Sequence, residues 1–310
     1  MKKTVTIAIP VFNGEKYLEE ALHSIIIQDY KPDKVIFCDN QSNDNTINII
    51  KQFQKQNSNL KTELFINEEN IGPYNNFRRC YELCDTDFLL ILSCDDRLKQ
   101  ATIDLQMKFY AEHPDFALVG GNASYIDENG KSIVDAKTKH DLLFEKGQIL
   151  ELMESTSLWI IPSSIMYNMN IIREVGWWDG KFVGQDERYY PKVLSMHPVA
   201  VLKERLVDFR LHTESDGWKD NVFSFKSKIS YFKLNIASAN YETSEERQKK
   251  AKKYMKKWAS DKSIELGSIV WKKYKRPWTG FKYWLFGIKQ NPTTVFQKKS
   301  IKTIVKTFIN

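Results

Sequence analysis

Phe88-Leu89-Leu90-Ile91-Leu92-Ser93-Cys94-Asp95-Asp96 is an apolar stretch that runs directly into two adjacent carboxylates. A continuous apolar run of this length fits a central strand covered on both faces. Two like charges side by side repel, and each costs free energy to desolvate, so stability alone does not put them there. A hard divalent cation bound through oxygen would relieve the repulsion and let the pair hold a phosphate. Strand ends in open α/β sheets are also where ligands bind. The competing reading is a solvated Asp-Asp turn, and the upstream sequence bears on the choice.

Thr4-Val5-Thr6-Ile7-Ala8-Ile9-Pro10-Val11-Phe12 reads as a second strand, rich in β-branched residues, with Pro10 expected to stop it. Asn13-Gly14 makes a turn, and Asn13 is expected to cap the helix that follows. That helix carries Tyr17, Leu18, Ala21, Leu22, Ile25 and Ile26 as an amphipathic stripe. Lys34 to Cys38 forms the next strand, with Asp39-Asn40 at its end and Ser42 to Thr46 opening another helix. Two strands therefore deliver acids, Asp39 and Asp95, to one sheet edge. The β-α-β-α order implies parallel strands with right-handed crossovers.

At this point the chain resembles the family 2 glycosyltransferases of the GT-A fold. The resemblance is carried by Ile9-Pro10-Val11-Phe12-Asn13-Gly14-Glu15-Lys16-Tyr17-Leu18 and by Cys38-Asp39-Asn40-Gln41-Ser42-Asn43-Asp44-Asn45-Thr46. It continues through Asn70-Ile71-Gly72-Pro73-Tyr74-Asn75-Asn76-Phe77 to Ser93-Cys94-Asp95-Asp96, in family order and at family spacing. It implies an α/β fold, a Rossmann-like, mostly parallel sheet flanked by helices. The expected organisation is a catalytic domain over 1–215, with a nucleotide-sugar half about 1–100 and an acceptor half about 101–215. By the same resemblance, Pro10, Val11, Phe12, Asn13, Asp39, Asn40, Asn70, Gly72, Asn76, Ser93, Cys94 and Asp95 form the nucleotide site. Asp39 would contact the base, and Asp95, with Asp96 nearby, would hold Mn²⁺ or Mg²⁺ on the diphosphate. Members usually carry an acid where Ser93 stands, so the departure touches the ribose contact and leaves the metal-binding aspartate in place.

In the acceptor half, Ala101 to His113 reads as a helix and Phe116 to Gly121 as a strand ending in a glycine turn. Asp127-Glu128-Asn129-Gly130-Lys131 reads as a hairpin turn, Ser163 to Tyr167 as a strand and Ile171 to Val175 as a helix. Gly184-Gln185-Asp186-Glu187 then opens a further helix, where the N-terminal field favours an ionised carboxylate. Such a carboxylate can remove a proton from a sugar hydroxyl. The family pattern here is a Glu-Asp pair whose aspartate is the catalytic base. That role falls on Asp186, with Glu187 as backup and Gln185 replacing the preceding acid; ordinary helix capping by Asp186 is the plain alternative. Trp177 and Trp178 are candidates to stack on the acceptor sugar, or equally to lie in the core. Phe209-Arg210-Leu211-His212 resembles a late family element, making His212 a candidate ligand for the ion or contact for the diphosphate.

No run approaches the ~18 apolar residues of a membrane span, and Lys2-Lys3 precedes a strand-like segment, unlike a signal peptide. Cys38, Cys80, Cys84 and Cys94 have no metal-ligand spacing and are expected to be reduced thiols of a cytoplasmic protein. Charge is uneven. Residues 216–310 carry 22 Lys and Arg against 7 Asp and Glu, a net of +15, so residues 1–215 carry −8 of the chain's +7. Five of the eight tryptophans also fall in this basic tail. The expectation is a helical extension over 216–310 with a partner of its own.

Within it, Trp271, Tyr274, Trp278, Phe281, Leu285 and Ile288 recur at steps of three or four with lysines between them. Ile301, Ile304, Val305, Phe308 and Ile309 repeat the pattern. These stripes fit helices lying on an anionic membrane surface, hence an enzyme peripheral on the inner face of a bacterial cell membrane. Packing against the catalytic body is the alternative. The acidic body argues against nucleic acid. The whole reads as an inverting, metal-dependent transferase of surface-glycan synthesis. It would take a nucleotide-sugar donor, UDP-linked, and a saccharide or lipid-linked saccharide acceptor. Two rivals stay open. A sugar nucleotidyltransferase would carry a glycine-rich phosphate loop where Val11-Phe12-Asn13-Gly14 stands, and a catalytically inactive binding module would fit the acids missing at Ser93 and Gln185.

Overall fold

A computed structural model describes residues 2–135, 138–155, 161–177, 186–212, 225–272 and 275–296. The chain divides into two compact units. One comprises Met1–Lys146, Ser157–Lys181 and Met196–His212; the other comprises Gly147–Thr156, Phe182–Ser195 and Thr213–Asn310.

The first unit is built on a ten-stranded sheet. Its strands are β1 (Val5–Val11), β2 (Lys34–Asp39), β3 (Thr62–Ile66), β4 (Phe88–Ile91) and β5 (Arg97–Leu98), then β6 (Leu118–Ile126), β7 (Ser132–Asp135), β8 (Leu142–Phe144), β9 (Met166–Asn168) and β10 (Val199–Arg210). They lie in the order β3-β2-β1-β4-β9-β6-β10-β5, with β7 on β6 and β8 on β10. The first four strands are parallel, joined through α1 (Leu18–Ile26), α2 (Thr46–Gln56) and α3 (Gly72–Glu82). Every residue of β1, β2 and β4 is buried, as their unbroken apolar runs require of strands covered on both faces. Beyond β4 the sheet is mixed. The short β9 enters antiparallel between β4 and β6, while β6 and β10 pair in parallel. The remaining helices of this unit are α4 (Thr102–Glu112) and α6 (Met169–Val175).

Four local expectations change, the first being that β6 runs on through Gly120-Gly121 to Ile126 instead of ending there in a turn. Pro10 does not stop β1, which continues to Val11. Ala8 O accepts from Leu92 N and Val11 O from Asn40 N, so the even-numbered residues of β1 face β4. Pro10 thus has no N–H to offer the β4 side, and the β1–β4 register ends at Ala8 opposite Ile91. The chain from Ser93 onward is released to turn. Asn13 does not cap α1, whose N-terminus at Tyr17 has no side-chain cap. With φ of 50° it sits in the left-handed region, and its Oδ1 accepts from Asn43 N at 2.9 Å. Ser163 and Ser164 belong to a 3₁₀ turn, Pro162–Ser164, ahead of β9.

The second unit is helical among its described residues: α5 (Ile149–Glu154), α7 (Asp186–Leu194), α8 (Phe225–Ser238), α9 (Glu245–Lys272) and α10 (Pro277–Gln290). Arg247 ties α5 to α9, with its guanidinium on Glu242 and Glu151, while Leu150 N donates to Glu242 Oε1. Helices α9 and α10 pack through glycine. A Cβ at Gly280 would stand 2.5 Å from Gly267 O, and one at Gly287 2.9 Å from Ser260 O. That closeness lets Trp284 Nε1 donate to Ile264 O at 3.1 Å and stack on Trp271 at 5.3 Å between centroids. Among the described residues, no helix is long and apolar enough to cross a membrane.

Because the Gly280 neighbour is backbone, it cannot rotate aside. Gly280→Ala is expected to lower stability by about 1–3 kcal/mol through overpacking. Lys282→Ala, on the exposed side of α10, should stay within about 0.5 kcal/mol. Denaturant unfolding followed by tryptophan fluorescence would compare them.

Candidate active site

The C-terminal ends of β1 and β2 form one side of the site. Asp39 closes β2 and is fully buried. Its Oδ2 accepts from Ser42 N at 3.0 Å, whereas Oδ1 has no hydrogen-bond partner. Asn40 beside it is held by two asparagines and a backbone amide. Its Nδ2 donates to Asn70 Oδ1 at 2.8 Å, and its Oδ1 accepts from Asn67 Nδ2 at 2.9 Å and from Ile71 N. Asn67 also donates to Asn76 Oδ1, and Asn76 Nδ2 returns to Cys38 O. The network fixes the approach to α3 against the end of β2. On the other side of Asp39, the loop after β1 is laced to the loop after β2. Asn13 N donates to Ser42 Oγ, Gly14 N to Thr46 Oγ1 and Glu15 N to Asp44 Oδ2.

The acidic turn after β4 is organised from outside itself. Asp95 is partly open, and its Oδ2 lies 2.9 Å from His212 Nε2. Asp96 turns inward: Oδ2 accepts from Ser163 Oγ at 2.6 Å and Oδ1 from Arg210 N at 2.9 Å. Burial, then the charge of Asp95, pushes the Asp96 carboxyl well above the usual carboxylate range. Ser163 Oγ also accepts from Ser93 N at 3.2 Å, bracing the start of the turn. Burial and the two carboxylates raise the Cys94 thiol, which stays protonated.

Arg210 is the hub. Its side chain is buried, with Nε donating to Asp95 O at 2.9 Å and Nη2 to Glu20 Oε2 at 2.8 Å. Nη1 reaches Asp127 O and Glu128 O in the β6–β7 hairpin. The guanidinium lies 4.4 Å from the Tyr17 ring centroid, and Tyr17 in turn sits 5.1 Å from the His212 ring. One cation thereby joins α1, the acidic turn, the hairpin and the end of β10, two residues before His212.

The geometry brings Asp95 and His212 within 2.9 Å of each other and turns Asp96 inward, where each of its oxygens accepts a hydrogen bond. Trp177 is corrected. It is buried, stacked on Tyr81 at 4.6 Å and 12° and set 5.2 Å from Tyr167, so it packs as a core aromatic and not against a sugar. Pro10, Val11, Asp39, Asn40 and Asn76 are buried, while Phe12, Asn13 and Asn70 are exposed. Gly72 adopts φ of 79°, which opens α3. Asp186 and Glu187 are the first residues of α7, in the helical unit, but their side chains, like all of Gln185 and Trp178, lie outside the described residues. Arg210, Ser163, Glu20 and Asn67 escaped the sequence reading. The one available signal was that Arg210 stands two residues before His212 in the sequence.

Among the described residues, no three His, Cys, Asp or Glu side chains converge as a ready metal cluster. A carboxylate oxygen with an imidazole nitrogen nonetheless suits a manganese-type ion that takes its other ligands from phosphate and water.

The sequence profile described as Glycosyl transferase family 2 matches residues 6–176, more than half of the chain. Glycosyltransferase GlyG of Streptococcus pneumoniae serotype 4 is 23% identical over 247 residues, 74% of this chain and 81% of the relative. A Methanococcus voltae protein, dolichyl N-acetyl-alpha-D-glucosaminyl phosphate 3-beta-D-2,3-diacetamido-2,3-dideoxy-beta-D-glucuronosyltransferase, is 25% identical over 222 residues, covering 69% of this chain and 63% of the relative. The structure of S. aureus TarS 1-349 in complex with UDP-GlcNAc superposes with a TM-score of 0.71 at 16% identity, covering 94% of this chain and 82% of that one. The fold is shared with TarS.

Arg210→Met should leave the carbonyls of Asp95, Asp127 and Glu128 without their donor and cost about 1–3 kcal/mol. Glu20→Gln, at a side chain 43% exposed, should cost less than about 1 kcal/mol. Chemical denaturation of the two variants would check the ranking.

Proposed function

Because this chain belongs to glycosyl transferase family 2, we propose that it is an inverting, metal-dependent glycosyltransferase. It moves a sugar from a UDP-sugar to a hydroxyl of a saccharide or lipid-linked saccharide, in the building of a surface glycan. The observation that carries this reading is the Asp95–His212 pair, set 2.9 Å apart beyond the ends of β4 and β10. The lipid-linked acceptor is supported by the name of the M. voltae relative, which specifies a dolichyl-phosphate-linked sugar.

Asp95 and His212 are the residues that would hold Mn²⁺ or Mg²⁺, and Asp96 orients Asp95 through the shared turn. A bound ion supplies positive charge against the negative charge developing on the departing nucleoside diphosphate. The nucleobase falls to Asp39, whose unpartnered Oδ1 would accept the imide N–H of uracil. Asp186 acts as the base, at the start of a nine-residue helix whose N-terminal field favours its ionised form. It takes the acceptor proton as that oxygen bonds to the anomeric carbon and the bond to the diphosphate breaks. A single in-line displacement inverts the anomeric centre.

Three measurements test this. Asp95→Asn, or chelation of the native protein, should abolish both sugar transfer and donor hydrolysis; full activity in chelator overturns metal dependence. Asp186→Asn should lower kcat by about 10²–10⁴ with donor affinity unchanged. Normal transfer by that variant, with loss in Glu187→Gln, would move the base one residue along. Calorimetry should find UDP bound more tightly than CDP, whose base lacks the imide N–H. Equal binding removes Asp39 from recognition, and tighter GDP binding keeps Asp39 but replaces the uridine donor.

A further inference from the structure

The amphipathic stripe of the C-terminal tail resolves into two different faces of α10. Gly280, Tyr283, Trp284 and Gly287 are buried, on the side that meets α9. The opposite side carries Trp278, 77% exposed, Phe281, 37%, and Leu285, 51%. These three stand at three- and four-residue steps, so they share one side of the helix. The Trp278 and Phe281 rings meet edge to face at 6.4 Å, forming a joint surface. Lys282 and Lys289 project along the same side, Lys275 stands just before the helix, and all three are exposed. No Asp or Glu follows Glu265, and residues 266–310 hold ten Lys and Arg. Tyr274 and the stripe from Ile301 to Ile309 lie outside the described residues.

An exposed tryptophan, phenylalanine and leucine on one helix side are not needed for the α9–α10 contact, which is complete without them. A second copy of the same face is a poor occupant, since a two-fold pairing would set the lysines against one another with no acid to offset them. A polyanionic polymer would use the lysines and leave the apolar side chains in water. An anionic lipid surface uses both: apolar side chains enter the headgroup–acyl boundary, and lysines meet the headgroup charge. We propose that the exposed side of α10, centred on Trp278, Phe281 and Leu285 and flanked by Lys275, Lys282 and Lys289, docks on an anionic membrane surface. The helix lies in the plane of that surface, and the docking is independent of the transferase reading.

The test is co-sedimentation of the full chain with phosphatidylcholine vesicles, with and without phosphatidylglycerol, over a salt series. Binding should require phosphatidylglycerol and weaken as salt rises. A Lys275→Gln, Lys282→Gln, Lys289→Gln variant should lose about fivefold per lysine, roughly a hundredfold together. Trp278→Ser, Phe281→Ser, Leu285→Ser should lose at least about tenfold. It should also lose part of the tryptophan blue shift on vesicle binding. All six positions are exposed, so unchanged circular dichroism and thermal midpoints are expected. Equal binding to both vesicle types, or to neither, overturns the proposal. Vesicle binding indifferent to the serine variant, together with binding to heparin, would assign the face to a polyanion. Light scattering showing a dimer that the serine variant dissolves would assign it to a second copy. Loss of vesicle binding with donor hydrolysis intact in the serine variant supports the proposal and keeps it separate from the chemistry.

Discussion

The arrangement of the first unit turns on one buried cation. Arg210 carries a fully buried guanidinium, and bringing a guanidinium out of water costs several kcal/mol unless its donors are met. Asp95 O, Glu20, Asp127 O, Glu128 O and the Tyr17 ring meet them together. The partners come from three separate parts of the chain, so the acidic turn, α1 and the β6–β7 hairpin are fixed relative to one another as a consequence of solvating one side chain. Its own backbone N–H holds Asp96, and two residues further His212 meets Asp95. The site is thus positioned by a residue that need not touch a substrate.

The two neighbouring aspartates illustrate what that constraint does. Asp96 is buried, doubly hydrogen-bonded and pushed up in pKa, while Asp95 keeps an open side beside an imidazole. One carboxylate braces the turn and the other stays partly open beside His212. The parallel half supplies the complementary element. Pro10 leaves the β4 side of β1 without a donor, and β2 carries Asp39 and Asn40 to the same edge. There the asparagine network meets most of the buried polar groups but leaves Asp39 Oδ1 without a donor. A buried carboxylate oxygen left unpaired costs free energy, which a ligand N–H would recover.

The second unit follows a different logic, in which helix contact is set by absent side chains. Gly267, Gly280 and Gly287 bring α9 and α10 close enough for backbone to meet backbone. That approach selects which side of the aromatic stripe goes in and which stays out. The periodicity of the tail was compatible with either packing or surface docking; the structure buries one side of a single helix and leaves apolar side chains exposed on the other.

Periodicity and strand-end chemistry in the sequence alone determined β1, β2, β4 and α1, the parallel first half and the meeting of Asp39 and Asp95 at one edge. These features depend on which side chains leave a segment on the same side, and that is written locally. What a side chain meets is not local. The inward turn of Asp96 depends on Ser163, 67 residues away, and Arg210, 114 away. The Arg210–Glu20 pair spans 190 residues, and Trp177 is a core residue only because Tyr81 and Tyr167 cover it. The sequence reads as a strand from Ser163 to Tyr167, and only pairing with the ladders of β4 and β6 sets it at Met166–Asn168. Tertiary structure decided these points because hydrogen-bond saturation and ring burial are properties of assembled neighbours.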